Sequence, residues 1–249
     1  MAEEKKKTTS RREFLKKSGY VTGGVVGGGV LGGLIGSQFW QSEPASTVAP
    51  VKEQQHDQAL QYFSNRDVFE ILSQATERIF PEDENGPGAI GLGVPYYIDH
   101  QLAGKWGINA KMYMQGPFYE GTPEQGYQTQ LKRHEIFDLG LEAIEKYSQS
   151  EFKDRFVSLE GEQQDEVLKA LESDKVEIPG IKSSFFFEML RQATLEGVYA
   201  DPLYGGNKDK QGWVMKEYPG VQMTYAEHVE SEEFLELEPK SLHDTHHSK

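Results

Sequence analysis

An all-α fold is predicted for this chain: a compact, irregular helical domain of about five or six helices joined by long ordered loops. Three observations point there. Apolar residues recur at three- and four-residue spacing in several separate segments. Alternating patterns that would mark half-buried strands are scarce. Proline and glycine clusters cut the chain at intervals that suit helices of ordinary length.

The sequence divides into residues 1–40, a basic and then glycine-rich start; 41–65, a linker rich in Ser, Pro, Thr, Glu and Gln; 66–222, the helical domain; and 223–249, an acidic and then His-containing tail. The first periodic run spans Asp67 to Phe80, with Val68/Phe69, Leu72, Ala75/Thr76 and Ile79/Phe80 on one side. Pro81 stops it, and the polar Glu82 to Gly88 reads as a loop. Gly93-Val94-Pro95 opens a second, short helix, since proline fits a first turn that has no use for its missing N–H. Asn109 to Gln125 is irregular but carries Met112, Tyr113, Met114, Phe118 and Tyr119, too aromatic for a solvent-washed loop.

A long helix is predicted from Tyr127 to Tyr147, on the stripe Leu131, Phe137, Leu141, Ile144 and Tyr147. Ser158 to Glu162 introduces the next, with Val167, Leu168 and Leu171 apolar. Pro179-Gly180 breaks the chain, after which Ser183 or Ser184 is placed to cap a helix from Phe185 to about Tyr199.

Composition excludes whole classes of chemistry. Residues 1–19 carry a net charge of +4 and the remainder −18, for a total of −14. So acidic a body repels phosphate backbones and argues against nucleic acid as a partner. The chain has no cysteine. Disulfides, Cys-ligated clusters, thiol catalysis and covalent haem attachment through C-x-x-C-H are therefore all excluded.

Ser10-Arg11-Arg12-Glu13-Phe14-Leu15-Lys16 resembles the bacterial twin-arginine export signal, with Ser10, Arg11, Arg12, Phe14, Leu15 and Lys16 filling its positions. The uncharged stretch behind it, Ser18 to Trp40, is diluted by glycine and suits a weak signal core better than a firm membrane span. If uncleaved, it would serve as a membrane anchor. Gly23-Gly24 through Gly29 lacks the preceding strand that a nucleotide-binding glycine loop requires.

Catalytic and metal constellations are not found. His56, His100, His134 and His228 have no second histidine at i+3 or i+4. Asp99 and His100 are adjacent, so on a helix they point in different directions and are expected to be structural or solvent-facing. His243, His246 and His247 sit in a polar tail, a poor frame for a preorganised site. No G-x-S-x-G elbow occurs. Glu82-Asp83-Glu84 lacks the oxygen spacing of a calcium loop.

The run that decides the reading begins at Phe186-Phe187 and passes through Thr194, Glu196 and Gly197 to Tyr199-Ala200-Asp201-Pro202. Leu203-Tyr204-Gly205-Gly206-Asn207 follows, then Gly212-Trp213 and Tyr218-Pro219-Gly220. This resembles the signature of the gluconate 2-dehydrogenase subunit 3 family. Ala75 to Pro81, Gly86 to Ala89 and Tyr97-Ile98-Asp99 before Leu102-Ala103 resemble its earlier blocks, so the likeness covers roughly residues 66–221.

The resemblance implies a non-catalytic small subunit within an exported, membrane-associated complex. A large glucose-methanol-choline-type flavoprotein would hold FAD and oxidise the sugar acid. A cytochrome c subunit would carry haem c, and the twin-arginine translocase would deliver the assembly to the periplasm or the outer face of the cytoplasmic membrane. No cofactor falls to this chain.

Physically, Gly205-Gly206-Asn207 allows a sharp turn with positive φ. Trp213 and Tyr218 are rings that either pin that loop to a helix or fill a partner's pocket. Asp201, Tyr204, Gly205, Gly206, Asn207, Trp213 and Tyr218 are thus the candidate interface residues. A stand-alone exported helical binding or structural protein of the cell envelope is the competing reading. Which sugar or sugar acid is oxidised would be decided by the partner's pocket.

Overall fold

The structure is a computed structural model describing residues 59–119, 121–122, 125–231 and 235–246. The basic motif at 10–16 and the glycine-rich stretch behind it lie outside the described residues. Seven α-helices occur among the described residues: α1 (Arg66–Ile79), α2 (Val94–Ala103), α3 (Arg133–Phe152), α4 (Gly161–Glu172), α5 (Ser183–Tyr199), α6 (Gln211–Val214) and α7 (Leu242–His246). Five are long and two are single turns, and only isolated bridges stand in for strands. The all-α prediction holds.

Helix α1 packs against α2, α3, α4 and α5. Its inner face is Ile71, Leu72, Ala75 and Thr76, the stripe read from the sequence. Asn65 caps it by accepting the Asp67 N–H at 2.9 Å. Around it close Phe137, Leu141, Phe156, Leu171, Phe186 and Leu190, all fully buried. Helices α3 and α5 approach closely at Gly140, where an added Cβ would lie 2.4 Å from the Phe186 ring. Arg78 of α1 grips Asp165 of α4 with both ends of its guanidinium, at 2.7 and 2.9 Å. That arginine holds the Asp165 carboxyl below its usual range.

Two helix starts differ from expectation. Helix α3 begins at Arg133, not Tyr127. Asn109 Oδ1 accepts the Arg133 N–H at 3.1 Å, the Gly107 carbonyl accepts that of His134, and Glu135 reaches back to the Lys132 N–H at 2.7 Å. These contacts satisfy the first turn and leave Tyr127 to Leu131 free to pack outside a helix. Helix α5 begins at Ser183, and neither serine caps it. Asp174 accepts the Ser184 N–H at 2.8 Å, while the Ser183 hydroxyl turns inward to donate to the Leu171 carbonyl.

The segment read as a polar tail is also corrected. Residues 240–244 return to the domain and lie across the loop that follows α5.

Candidate functional site

The C-terminal end of α5 gathers the blocks that carry the family resemblance. Phe80 at the end of α1 meets Tyr199 edge-on, with centroids 6.4 Å apart. Gly197 leaves room for Tyr97 of α2, whose ring would lie 2.9 Å from an added Cβ. The Lys208 N–H donates to the Leu92 carbonyl at 3.0 Å, and the Met215 side chain fills the space beside Gly86. Burial first, then the Glu196 carboxylate and Tyr204, push the Tyr97 phenol up to about 12.

The loop itself is built on a few small or polar residues. Asp201 closes the turn into Pro202–Tyr204, its Oδ1 accepting the Leu203 N–H at 2.9 Å. Its Oδ2 accepts the Leu242 N–H at 2.8 Å, so the same carboxylate holds the returning tail. Gly205 turns at φ 92°. Gly206 then lies so near α5 that an added Cβ would be 2.3 Å from the Gly197 carbonyl oxygen.

Asn207 is fully buried at φ 47°. Its amide donates to the Ala200 carbonyl at 2.8 Å and accepts the Gly212 N–H at 2.7 Å, spanning the loop from inside. Trp213 is 5% exposed and donates its indole N–H to the Tyr199 carbonyl at 2.8 Å. Tyr218 packs edge-on against Trp213 at 5.4 Å.

Of the seven candidate residues, the structure therefore places Asp201, Gly206, Asn207 and Trp213 within the frame of the loop. Gly205 supplies its turn, and Tyr204 and Tyr218 remain half exposed. Leu203 and Val214, which the sequence reading did not single out, are exposed to 56% and 50% on the same loop and its following turn, α6. The available signal was only that each sits next to a residue of the signature, Pro202 and Trp213.

Two carboxylates stiffen this end: Glu77, which the sequence did not mark as an anchor, and Asp99. Glu77 accepts the Glu82 N–H at 3.0 Å and the Ile90 N–H at 2.8 Å, folding the Gly86-Pro87-Gly88 loop back on α1. Asp99 is fully buried and accepts the N–H groups of Gln61, Tyr62 and Phe63. His100, its neighbour, contacts the Ala59 carbonyl at 2.9 Å and lies beneath Gly205. Through these contacts Asp99 and His100 hold the segment at 59–63 against α2. Among the described residues no three His, Asp or Glu side chains form a metal-holding group. Nor is any helix among them long and apolar enough to cross a membrane.

The returning tail completes the site. The Val221 N–H donates to the Lys240 carbonyl at 2.7 Å and the Lys240 N–H to the Pro219 carbonyl at 3.1 Å, while Lys210 pairs with Asp244 at 2.9 Å. Gly220 permits this crossing, since an added Cβ would lie 2.3 Å from the Lys240 carbonyl oxygen.

No curated protein and no solved structure gives a significant match to this chain. Residues 66–220 match a protein family described as gluconate 2-dehydrogenase subunit 3. The matched span runs from the first residue of α1 to the glycine at which the tail crosses, and covers more than half of the sequence. The chain belongs to the gluconate 2-dehydrogenase subunit 3 family, the accessory subunits of dehydrogenase complexes.

Proposed function

We propose that this chain is the non-catalytic small subunit of an exported, membrane-associated, FAD-dependent complex of the gluconate 2-dehydrogenase type. It supports export, assembly and stability of a glucose-methanol-choline-type flavoprotein that oxidises a sugar or sugar acid. The observation that carries this reading is the end of α5, where the family's residues build a stiff frame and leave Leu203, Tyr204, Val214 and Tyr218 facing outward. Rings and aliphatics held by a rigid backbone lose little entropy on binding, which makes them good anchors. Asp201, Gly205, Gly206, Asn207 and Trp213 act as positioning residues for that surface.

The flavin is assigned to the partner. A dinucleotide cradle needs a strand, a glycine loop and a helix in succession, and among the described residues no strand precedes a glycine loop. Haem c is assigned to a cytochrome subunit, since this chain offers no cysteine to attach it. Export through the twin-arginine translocase, to the periplasm or the outer face of the cytoplasmic membrane, rests on Ser10 to Lys16.

The test is co-expression with such a flavoprotein, recovery through a tag on the flavoprotein, and a flavin absorbance spectrum of what is recovered. The wild-type chain should be retained in stoichiometric amount, and alone it should hold no FAD and turn over no gluconate. Leu203→Ser with Tyr204→Ser should weaken retention by about 10- to 100-fold, as expected for two central anchors. Full retention of the double variant would overturn the placement. A wild-type chain that never associates with flavoprotein would favour the stand-alone envelope protein.

A further inference from the structure

A second exposed apolar surface lies along α5, outside the signature loop. A groove of about 360 Å³ is floored by Trp106, Tyr127, Phe185 and Met189. Its wall is the stripe Glu188, Gln192 and Glu196, spaced one helical turn apart and exposed. Neither glutamate is in an ion pair among the described residues, and Glu196 only accepts the Gln192 amide at 3.0 Å. Arg133 is already engaged, stacked 4.8 Å from the centre of the Trp106 ring and donating to the Trp106 carbonyl.

The segment that Tyr127 of the floor contacts, through Asn109 and Met112, supplies the rim we assign to the groove and is equally unusual. Tyr113 is 81% and Tyr119 76% exposed, with Ile108 and Met112 also exposed on the same segment. The first part of this segment, Asn109 to Met114, is anchored. Buried Asn109 receives the Arg133 N–H and donates to Tyr127 and Met114, and the Tyr127 hydroxyl reaches the Met112 sulfur. Rings presented on a fixed backbone are costly to leave in water and cheap to dock.

We infer that this groove and its rim form a second docking surface, which the flavoprotein partner covers by running on from Tyr204 along α5 and seating an apolar side chain flanked by lysine or arginine. The inference rests on the proposed function and adds to it the chemistry of the partner's contact. Continuity carries the first part: the Tyr97 ring lies against Gly197, and both the Glu196 carboxylate at the groove wall and Tyr204 of the signature loop act on its phenol, so the groove ends close to that loop. Charge carries the second, because two unpaired carboxylates flank the aromatic floor of a body whose net charge is −18. Composition favours a protein over a lipid surface. Trp, Tyr, Met and Arg are the residues that protein interfaces concentrate, and the two glutamates would repel an anionic bilayer.

The experiment uses the full chain with the co-expressed flavoprotein. Glu188→Lys with Glu196→Lys should raise the Kd about tenfold at low salt, with a smaller difference at high salt and an unchanged unfolding midpoint. Tyr113→Ser with Tyr119→Ser should weaken binding at both salt concentrations. If the lysine variant binds normally while Leu203→Ser/Tyr204→Ser does not, the second surface is overturned and the small-subunit reading stands. If the wild-type chain forms no complex, both fall together. Because the chain has no cysteine, Tyr113→Cys carries a single polarity-sensitive label. A blue shift on adding the flavoprotein supports the inference. A shift only on adding phosphatidylglycerol vesicles would replace it with a lipid surface.

Discussion

Asn207 and Trp213 show how differently two residues of one motif can be read in advance. The pair Gly206-Asn207 announces a tight turn, because few other residues accept a left-handed backbone. The structure gives φ 47° at Asn207 and uses both ends of its amide. Trp213 carried no such signal. A ring in an aperiodic loop has no stripe to assign it to a face, so burial and exposure were equally open, and Tyr204 posed the same question with the opposite outcome. With Trp213 5% exposed and its N–H satisfied at 2.8 Å, Trp213→Ala should cost about 3–5 kcal/mol of folding stability. Urea unfolding of the isolated chain measures that loss, which should exceed any loss of affinity for the partner per folded molecule. Normal unfolding with weakened assembly would put the ring at the interface instead.

At the level of elements, apolar spacing located α1, α4 and most of α5 because their buried residues fall on one stripe. It failed at the start of α3, where Tyr127 and Leu131 pack against the core from an extended segment and so imitate the helical spacing. It failed again for the tail, which backbone hydrogen bonds and the Asp201 carboxylate hold without any periodic pattern. The tail's own carboxylate yields a pH prediction. The Ser241 N–H and then the Lys210 ammonium hold the Asp244 carboxyl down at about 2. Its pKa is therefore lower in the folded state than in the unfolded one, where it would be about 3.9, so its stabilising effect is complete above that value and disappears as pH falls through about 2. Backbone NMR signals of Val221 and Leu242 should stay constant from pH 7 to 5 and shift together between about pH 4 and 2. Asp244→Asn should abolish that shift. If the shift persists in the variant, another carboxylate governs the strap.

The whole molecule is split electrically, with a net +4 in residues 1–19 and −18 in the rest. That division was legible at once, and the proposed export signal falls in its basic part. What the sequence could not order was the body's surface, since exposure depends on which loops are pinned and by what. The proposed signal makes its own prediction. Arg11→Lys with Arg12→Lys keeps the charge but removes the planar guanidinium geometry. The chain, with any flavoprotein lacking its own signal, should then remain in the cytoplasm on fractionation, and undiminished export would sink the twin-arginine reading. The strap over the signature loop also has a consequence for the completed fold. Its residues behave as a ligand tethered to their own receptor, pinned at Val221–Lys240 and Asp201–Leu242. A tether of such length supplies an effective concentration on the order of 1 mM. Contacts that would give the same segment, as a free peptide, an affinity of only about 0.1 mM therefore keep it seated roughly nine-tenths of the time. Cutting the chain between Val221 and Lys240 would forfeit that advantage while leaving both pins in place.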